Sequence, residues 1–154
     1  MVDFCIPIRV SVCNNKRFGV QMIFDFLIQK RPVSHQTRNR KRLQEWKKYV
    51  FSEAQKSCVN AVPSNSNVRL TLIYLYNEDP VDVDNIIKPI QDALEGIFYD
   101  DDSLVIDVES HRRFLTGSFD ITKYPKELVR GLYLHNECVY VRVSDSQPLE
   151  KFLI

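Results

Sequence analysis

The chain has 154 residues, 44% hydrophobic and 27% charged, as expected of one soluble globular domain large enough for a real core. Its four cysteines (Cys5, Cys13, Cys58, Cys138) are scattered without a CxxC pair, which excludes a zinc site and a disulfide framework and leaves packed, reduced thiols. The opening MVDFCIPIRVSV does not read as a signal peptide, no apolar run approaches the ~20 residues of a membrane span, and a net charge of +1 argues against a generic nucleic-acid binder.

Residues 4–13 alternate loosely and read as an edge strand, with Pro7 keeping them from a sheet centre. NNKRFG follows as a turn, and GVQMIFDFLI as a strand. Residues 1–19 stand as an N-terminal extension of the domain. QKRPVSHQTRNRK is a polar, basic loop punctuated by Pro32, and Thr37 or Asn39 can cap the helix after it. Leu43, Trp46, Val50, Ala54 and Cys58 recur at spacings of three and four, which marks the buried stripe of a long helix and places Trp46 in the core. After PSNSN comes the clearest strand, VRLTLIYLY, which leads through NEDPV to Asp82.

Ile86, Ile90, Ala93, Leu94 and Ile97 then form a helical stripe with Asp84 as a candidate N-cap. Pro89 removes a backbone bond, so that helix either starts late, near Lys88, or is kinked. An acid triplet, Asp100 to Asp102, precedes the strand LVIDVESHRRFL, whose alternation puts Asp107 and Glu109 on one face. LTGSFD is a turn, PKELVRGLYL a short helix, ECVYVRVS a final strand, and 146–154 a tail. The expected fold class is α/β (α+β), one domain with a mixed β-sheet and helices packed on it.

Charge is strongly partitioned. Lys30 to Lys48 holds eight bases (Lys30, Arg31, Arg38, Arg40, Lys41, Arg42, Lys47, Lys48) and one acid, Glu45. Asn77 to Glu109 holds eleven acids and one base, Lys88. A basic arm beside an acidic pocket suits an enzyme acting on a polyanion, the arm offsetting phosphate charge while a cation screens the carboxylates. The plainer reading is two solvated faces of opposite sign. On an extended strand end, Asp82 and Asp84 would point to one face, and Lys88 lies one helical turn beyond Asp84. Together with a later acid they could hold a hard divalent cation and leave room for a phosphate. Taken singly, Asp84 could be only a cap, Lys88 only the i±4 partner of Asp84 or Asp92, and the triplet only a solvated turn.

The pattern D-x-D-N-x-x-K, carried by Asp82, Asp84, Asn85 and Lys88, runs on through Asp92-Ala93-Leu94 to Asp101-Asp102-Ser103. It resembles the RusA family of Holliday junction resolvases, endonucleases that cut four-way DNA junctions, over residues 20 to 115 or so. The PVSHQ loop ahead of a basic helix is also similar to that family's N-terminal basic loop. The resemblance implies Mg²⁺ (with Mn²⁺ able to substitute) bound by Asp82, Asp84 and Asp102, and Lys88 assisting at the phosphate. It further implies a homodimer on branched DNA, since two symmetric cuts call for two like sites. The DNA-contacting candidates are Lys30, Arg31, Arg38, Arg40, Lys41 and Arg42. Two departures stand out: Asn77, Glu78 and Asp79 precede the first Asp where the family has bases, and Leu104 follows DDS where glutamine is common. Asp101 or Asp100 remains an alternative third ligand. A cytoplasmic, nucleoid-associated protein is expected.

Other phosphate and metal chemistries fit less well. A DxD glycosyltransferase needs a larger nucleotide-binding region, and a dehalogenase-type phosphatase carries its DxD near the N-terminus of a doubly wound domain. An EF-hand fails because Ile87 stands where its turn glycine belongs. The competing function is a non-catalytic junction- or nucleic-acid-binding module on the same fold. His35, His111 and His135 are too dispersed for a ligand set, although His35 could touch DNA from the basic loop.

Overall fold

The structure, a computed structural model, describes residues 22–154; the strand expected over 4–13, the turn after it and any N-terminal extension lie outside the described residues. Within them the chain runs β1 (Ile23–Ile28), α1 (Arg40–Ser57), β2 (Val68–Tyr76), α2 (Ile87–Leu94), β3 (Val105–Phe114), α3 (Lys126–Leu134) and β4 (Cys138–Asp145). The strands form one sheet in the order β1-β4-β2-β3. β4 is antiparallel to both β1 and β2, and β2 is parallel to β3. The sheet is therefore mixed and helices pack on it, an α+β domain as the alternation of periods suggests.

Sequence periodicity explains both sides of the sheet. Val68, Leu70, Leu72 and Tyr74 alternate along β2 and are fully buried on one face. They meet Leu43, Trp46, Val50 and Ala54 of α1 together with Ile90 and Leu94 of α2 in the main core. Each large aliphatic side chain buried this way contributes about 1.5–3 kcal/mol. A smaller core of Leu27, Leu75, Leu115, Leu128, Cys138 and Tyr140 fills the opposite face, where α3 packs on β1 and β4. β4 lies between two strands with apolar side chains on both faces, so CVYVRVS reads as a nearly continuous apolar run. Cys58 and Cys138 are buried, and burial pushes the Cys138 thiol up to about 11.

Helix starts follow from local chemistry. The Asn39 side chain accepts a bond from the Arg42 amide at 3.0 Å, which makes Asn39 the cap of α1. α2 begins late: its N-cap position is Ile86, with no side-chain cap bond, so Asp84 is not its cap. Pro89 then falls in the first turn, where the helix has no use for its missing N–H. α2 also ends before Ile97, at Leu94, and Gly96 takes a φ of +83° that suits glycine as the chain turns toward the acid triplet.

Candidate active site

The β2–α2–β3 unit carries the acidic residues. β2 ends at Tyr76, so Asp82 and Asp84 sit on a loop and not on the extended end of a strand. Pro80, which has no N–H to give a ladder, and Asp79, whose φ of +42° turns the chain, end the extended conformation. The loop folds back over β3. The Ser110 hydroxyl donates to the Val83 carbonyl at 2.7 Å, and Arg112 lies 3.4 Å from the Asp82 carboxylate. Alternation puts Ser110 and Arg112 on the same face of β3. Backbone bonds Asn85 N–H to Asp82 O (3.1 Å) and Ile87 N–H to Asp84 O (3.3 Å) turn the chain into α2. Asp82 and Asp84 are both exposed. Among the described residues, the Asp84 carboxylate has no hydrogen-bond or ion-pair partner.

One turn further on, Lys88 reaches across to the segment before β3. Its ammonium lies 2.5 Å from the Asp102 carboxylate and 2.8 Å from Asp92, the acid four residues along α2. Lys47 from α1 reaches the other oxygen of Asp92 at 2.9 Å. The bond to Asp102, then that to Asp92, pushes the Lys88 ammonium well above the ordinary lysine range. Burial works to raise the Asp92 carboxyl, but the bonds from Lys88 and Lys47 outweigh it and hold the group below the usual carboxylate range. The backbone at Asp102 is fixed as well: its carbonyl accepts from the Gln91 side-chain Nε2 at 3.1 Å, and the Tyr99 hydroxyl donates to the Gln91 backbone carbonyl at 2.5 Å.

Asp101 has a different task. Its carboxylate accepts from the Ser103 amide at 2.8 Å and caps the short 3-10 turn Asp102–Leu104, and the Ser103 side chain and then its amide lower the Asp101 pKa. Of the acid triplet, Asp102 is the member turned toward Lys88. Among the described residues, no three carboxylate, histidine or cysteine side chains are gathered as a ready metal cage. Asp82 leans to Arg112 and Asp102 to Lys88, with Asp84 on the loop that joins those two ends. The donor chemistry suits a hard divalent ion nonetheless, since every candidate donor is a carboxylate oxygen.

The basic arm lies against this loop. The His35 amide donates to the Asn85 carbonyl at 2.9 Å, which ties residues ahead of α1 to the residue after Asp84. Arg38, Arg40, Lys41 and Arg42 are exposed, and among the described residues their side chains have no acidic partner. Lys30 lies over the Tyr49 ring at 5.0 Å. Arg31 is occupied: it pairs with Glu137 at 3.3 Å, donates to the Glu78 carbonyl at 3.0 Å and also bonds the Asp79 carbonyl.

Arg112, Ser110 and Glu137 were not legible as site residues. For the first two the strand alternation was a usable signal, whereas Glu137 is 106 residues from Arg31 and nothing local marks it.

A mixed α+β domain whose β-α-β crossover presents carboxylates and a charged lysine, with exposed bases that have no acidic partner among the described residues, suits an enzyme that handles phosphates. The profile described as endodeoxyribonuclease RusA matches residues 27–119, more than half of the chain and all of this unit. The chain belongs to the RusA family of endodeoxyribonucleases. It is thus a nuclease of the Holliday junction resolvase type, a DNA-binding enzyme of recombination, from a family dependent on divalent metal. No curated protein sequence matches the chain. No helix among the described residues is long and apolar enough to cross a membrane.

Proposed function

We propose that this chain cuts four-way DNA junctions as a homodimer, with Mg²⁺ held by Asp82, Asp84 and Asp102, Lys88 at the scissile phosphate, and the arm of Arg38, Arg40, Lys41 and Arg42 on the DNA backbone. The observation that carries this reading is the bond from His35 to Asn85, which ties the segment leading into α1 to the acidic loop. Repulsion alone would keep a polyanion away from Asp82 and Asp84. Exposed cations fixed next to that loop offset the repulsion and set where the backbone lies.

A divalent ion bound there supplies a more acidic water and stabilises the charge that builds on the phosphate. The remaining steps belong to the chain's own groups. Lys88 provides a compact point charge that stays protonated through neutral pH. Asp92, steadied by Lys47, keeps the Lys88 stem on the Asp102 side of α2 when phosphate oxygens draw its ammonium away. Arg112 holds the Asp82 end of the loop against β3.

The test is incubation of the full chain with a labelled synthetic four-way junction and a matching linear duplex, with Mg²⁺ and with EDTA. Paired, Mg²⁺-dependent nicks in the junction alone are expected. Tight binding without cuts would instead favour a binding module, and a monomer active at all concentrations would remove the dimer.

A further inference from the structure

Arg31, like Lys47, is a member of the basic stretch whose charge is already answered inside the protein. Its guanidinium spans three acceptors: the carbonyls of Glu78 and Asp79 and the carboxylate of Glu137. Glu137, immediately before β4, is only 14% exposed in its side chain. It also accepts from the Asn77 amide at 3.0 Å and from the Tyr74 hydroxyl at 3.4 Å. Burial, with the negative charge of Glu137 beside it, pushes Tyr74 up to about 12. One half-buried carboxylate and one guanidinium thereby collect polar groups of residues 74, 77, 78 and 79, immediately upstream of Asp82.

We propose that Arg31 and Glu137 form a clamp that sets the acidic loop over β3, so that Arg31 is a positioning residue and not a phosphate contact. Three features argue for it. The φ of +42° at Asp79 is a conformation that non-glycine residues adopt at a cost, and it lies directly before Pro80, where the backbone is further restricted. Such a bend persists when its surroundings over-determine it, and Arg31 binds the carbonyls on both sides of the Glu78–Asp79 linkage. Next, the loop is held further along by Ser110 at Val83 and by the His35 amide at Asn85, so the clamp closes the remaining open end. Finally, a planar fork can span two carbonyls and a carboxylate together, which a lysine ammonium cannot match.

This inference rests on the nuclease reading of the same loop, and its test separates the two. The full chain is compared with Arg31→Met, Arg31→Lys, Glu137→Gln and Glu137→Ala. Amide hydrogen exchange, recorded without DNA or metal, reads the clamp directly. Exchange across residues 77–85 is expected to quicken at least tenfold in Arg31→Met and Glu137→Ala, with α1 and β4 unchanged, and by less in the two conservative variants. In EDTA, the junction Kd and its salt dependence are expected to match the parent chain.

With Mg²⁺, single-turnover cutting at saturating protein should fall by about 10–100-fold, the usual cost of losing groups that orient a reactive shell. Unchanged exchange in Arg31→Met, together with a salt slope reduced by about 0.9, would overturn the proposal and make Arg31 a DNA contact. A parent chain that does not cut would overturn the nuclease reading instead, and the exchange measurement would still decide whether the clamp exists. Should Glu137→Ala fail to fold, Glu137→Gln and the two Arg31 variants carry the same comparison.

Discussion

Neutralising the arm with Arg40→Ala, Lys41→Ala and Arg42→Ala is the most quantitative way to ask whether α1 meets DNA. All three side chains are exposed at the start of the helix, and none has an acidic partner among the described residues, so all three charges are free to release counterions. Each phosphate neutralised on a duplex arm contributes about 0.9 to the slope of log K against log salt, so the triple variant should lose up to about 2.7 of it. Across a fourfold change in salt that amounts to about a 40-fold difference in how far binding weakens.

Fluorescence anisotropy of a labelled four-way junction in EDTA, over a salt series, measures it without cutting. Stability should not fall alongside. Bases in a first turn oppose the helix dipole, and α1 has no acid there, so their removal relieves about 0.3–1 kcal/mol each at low salt. A slope equal to the parent's would refute the argument and leave the arm a solvated face. A lower melting temperature would show that these bases support the fold in a way their exposure does not reveal.

Asp82→Asn, Asp84→Asn and Asp102→Asn should each abolish Mg²⁺-dependent cutting while junction binding in EDTA survives or tightens, since a carboxylate is lost and the arm is not. Binding lost in step with cutting, in a folded variant, would sink that division of labour. Tyr74 gives a pH signature: its ordinary value is 10.0 and burial raises it to about 12. In that window the unfolded tyrosine has lost its proton and the folded one keeps it, so stability falls as pH rises. The gap between parent chain and Tyr74→Phe should therefore change by up to about 1.4 kcal/mol per pH unit from pH 10 to 12, seen in denaturant titrations. A constant gap would place Tyr74 in a more solvated setting. Asn39→Ala should cost about 1 kcal/mol by removing the cap of α1, measured the same way.

The elements that periodicity defines were legible before any coordinates. The α1 stripe, the nine residues of β2, the short α3 and the continuous apolar run of β4 all lie where spacing puts them, because each buries one face or both. The path of the acidic loop was not legible. A strand carried as far as Asp82 looked natural, but β2 stops at Tyr76 and the chain returns over β3, held by partners such as Ser110, which is 27 residues from Val83. Pairwise contacts across such distances leave no periodic trace. For the same reason Arg31 counted as one base among eight, when its guanidinium is bound to the backbone of the segment that carries Asp82. Motif spacing did bring Lys88 and Asp102 together, since α2 and its return are short enough for fourteen residues to close on themselves.

Lys88 shows why opposite charges are placed so close together in this molecule. A lysine next to two carboxylates would simply be neutralised if both were equivalent, but they are not. Asp92 is half-buried and its second oxygen is bound by Lys47 of α1, which ties it to the packed helices. Asp102 sits on a short capped turn whose geometry is set by Asp101 and Gln91, so its carboxylate can exchange one partner for another without the backbone moving. Asp84 is exposed and uncommitted among the described residues. If Asp84 and Asp102 hold the metal as proposed, the arrangement separates an acid that orients the lysine, Asp92, from acids that would turn to a cation. On the proposed reading, a phosphate arriving on the arm would meet both a positive point charge and carboxylates able to accept an ion, and the pair that orients Lys88 within α2 would not be the one to be released.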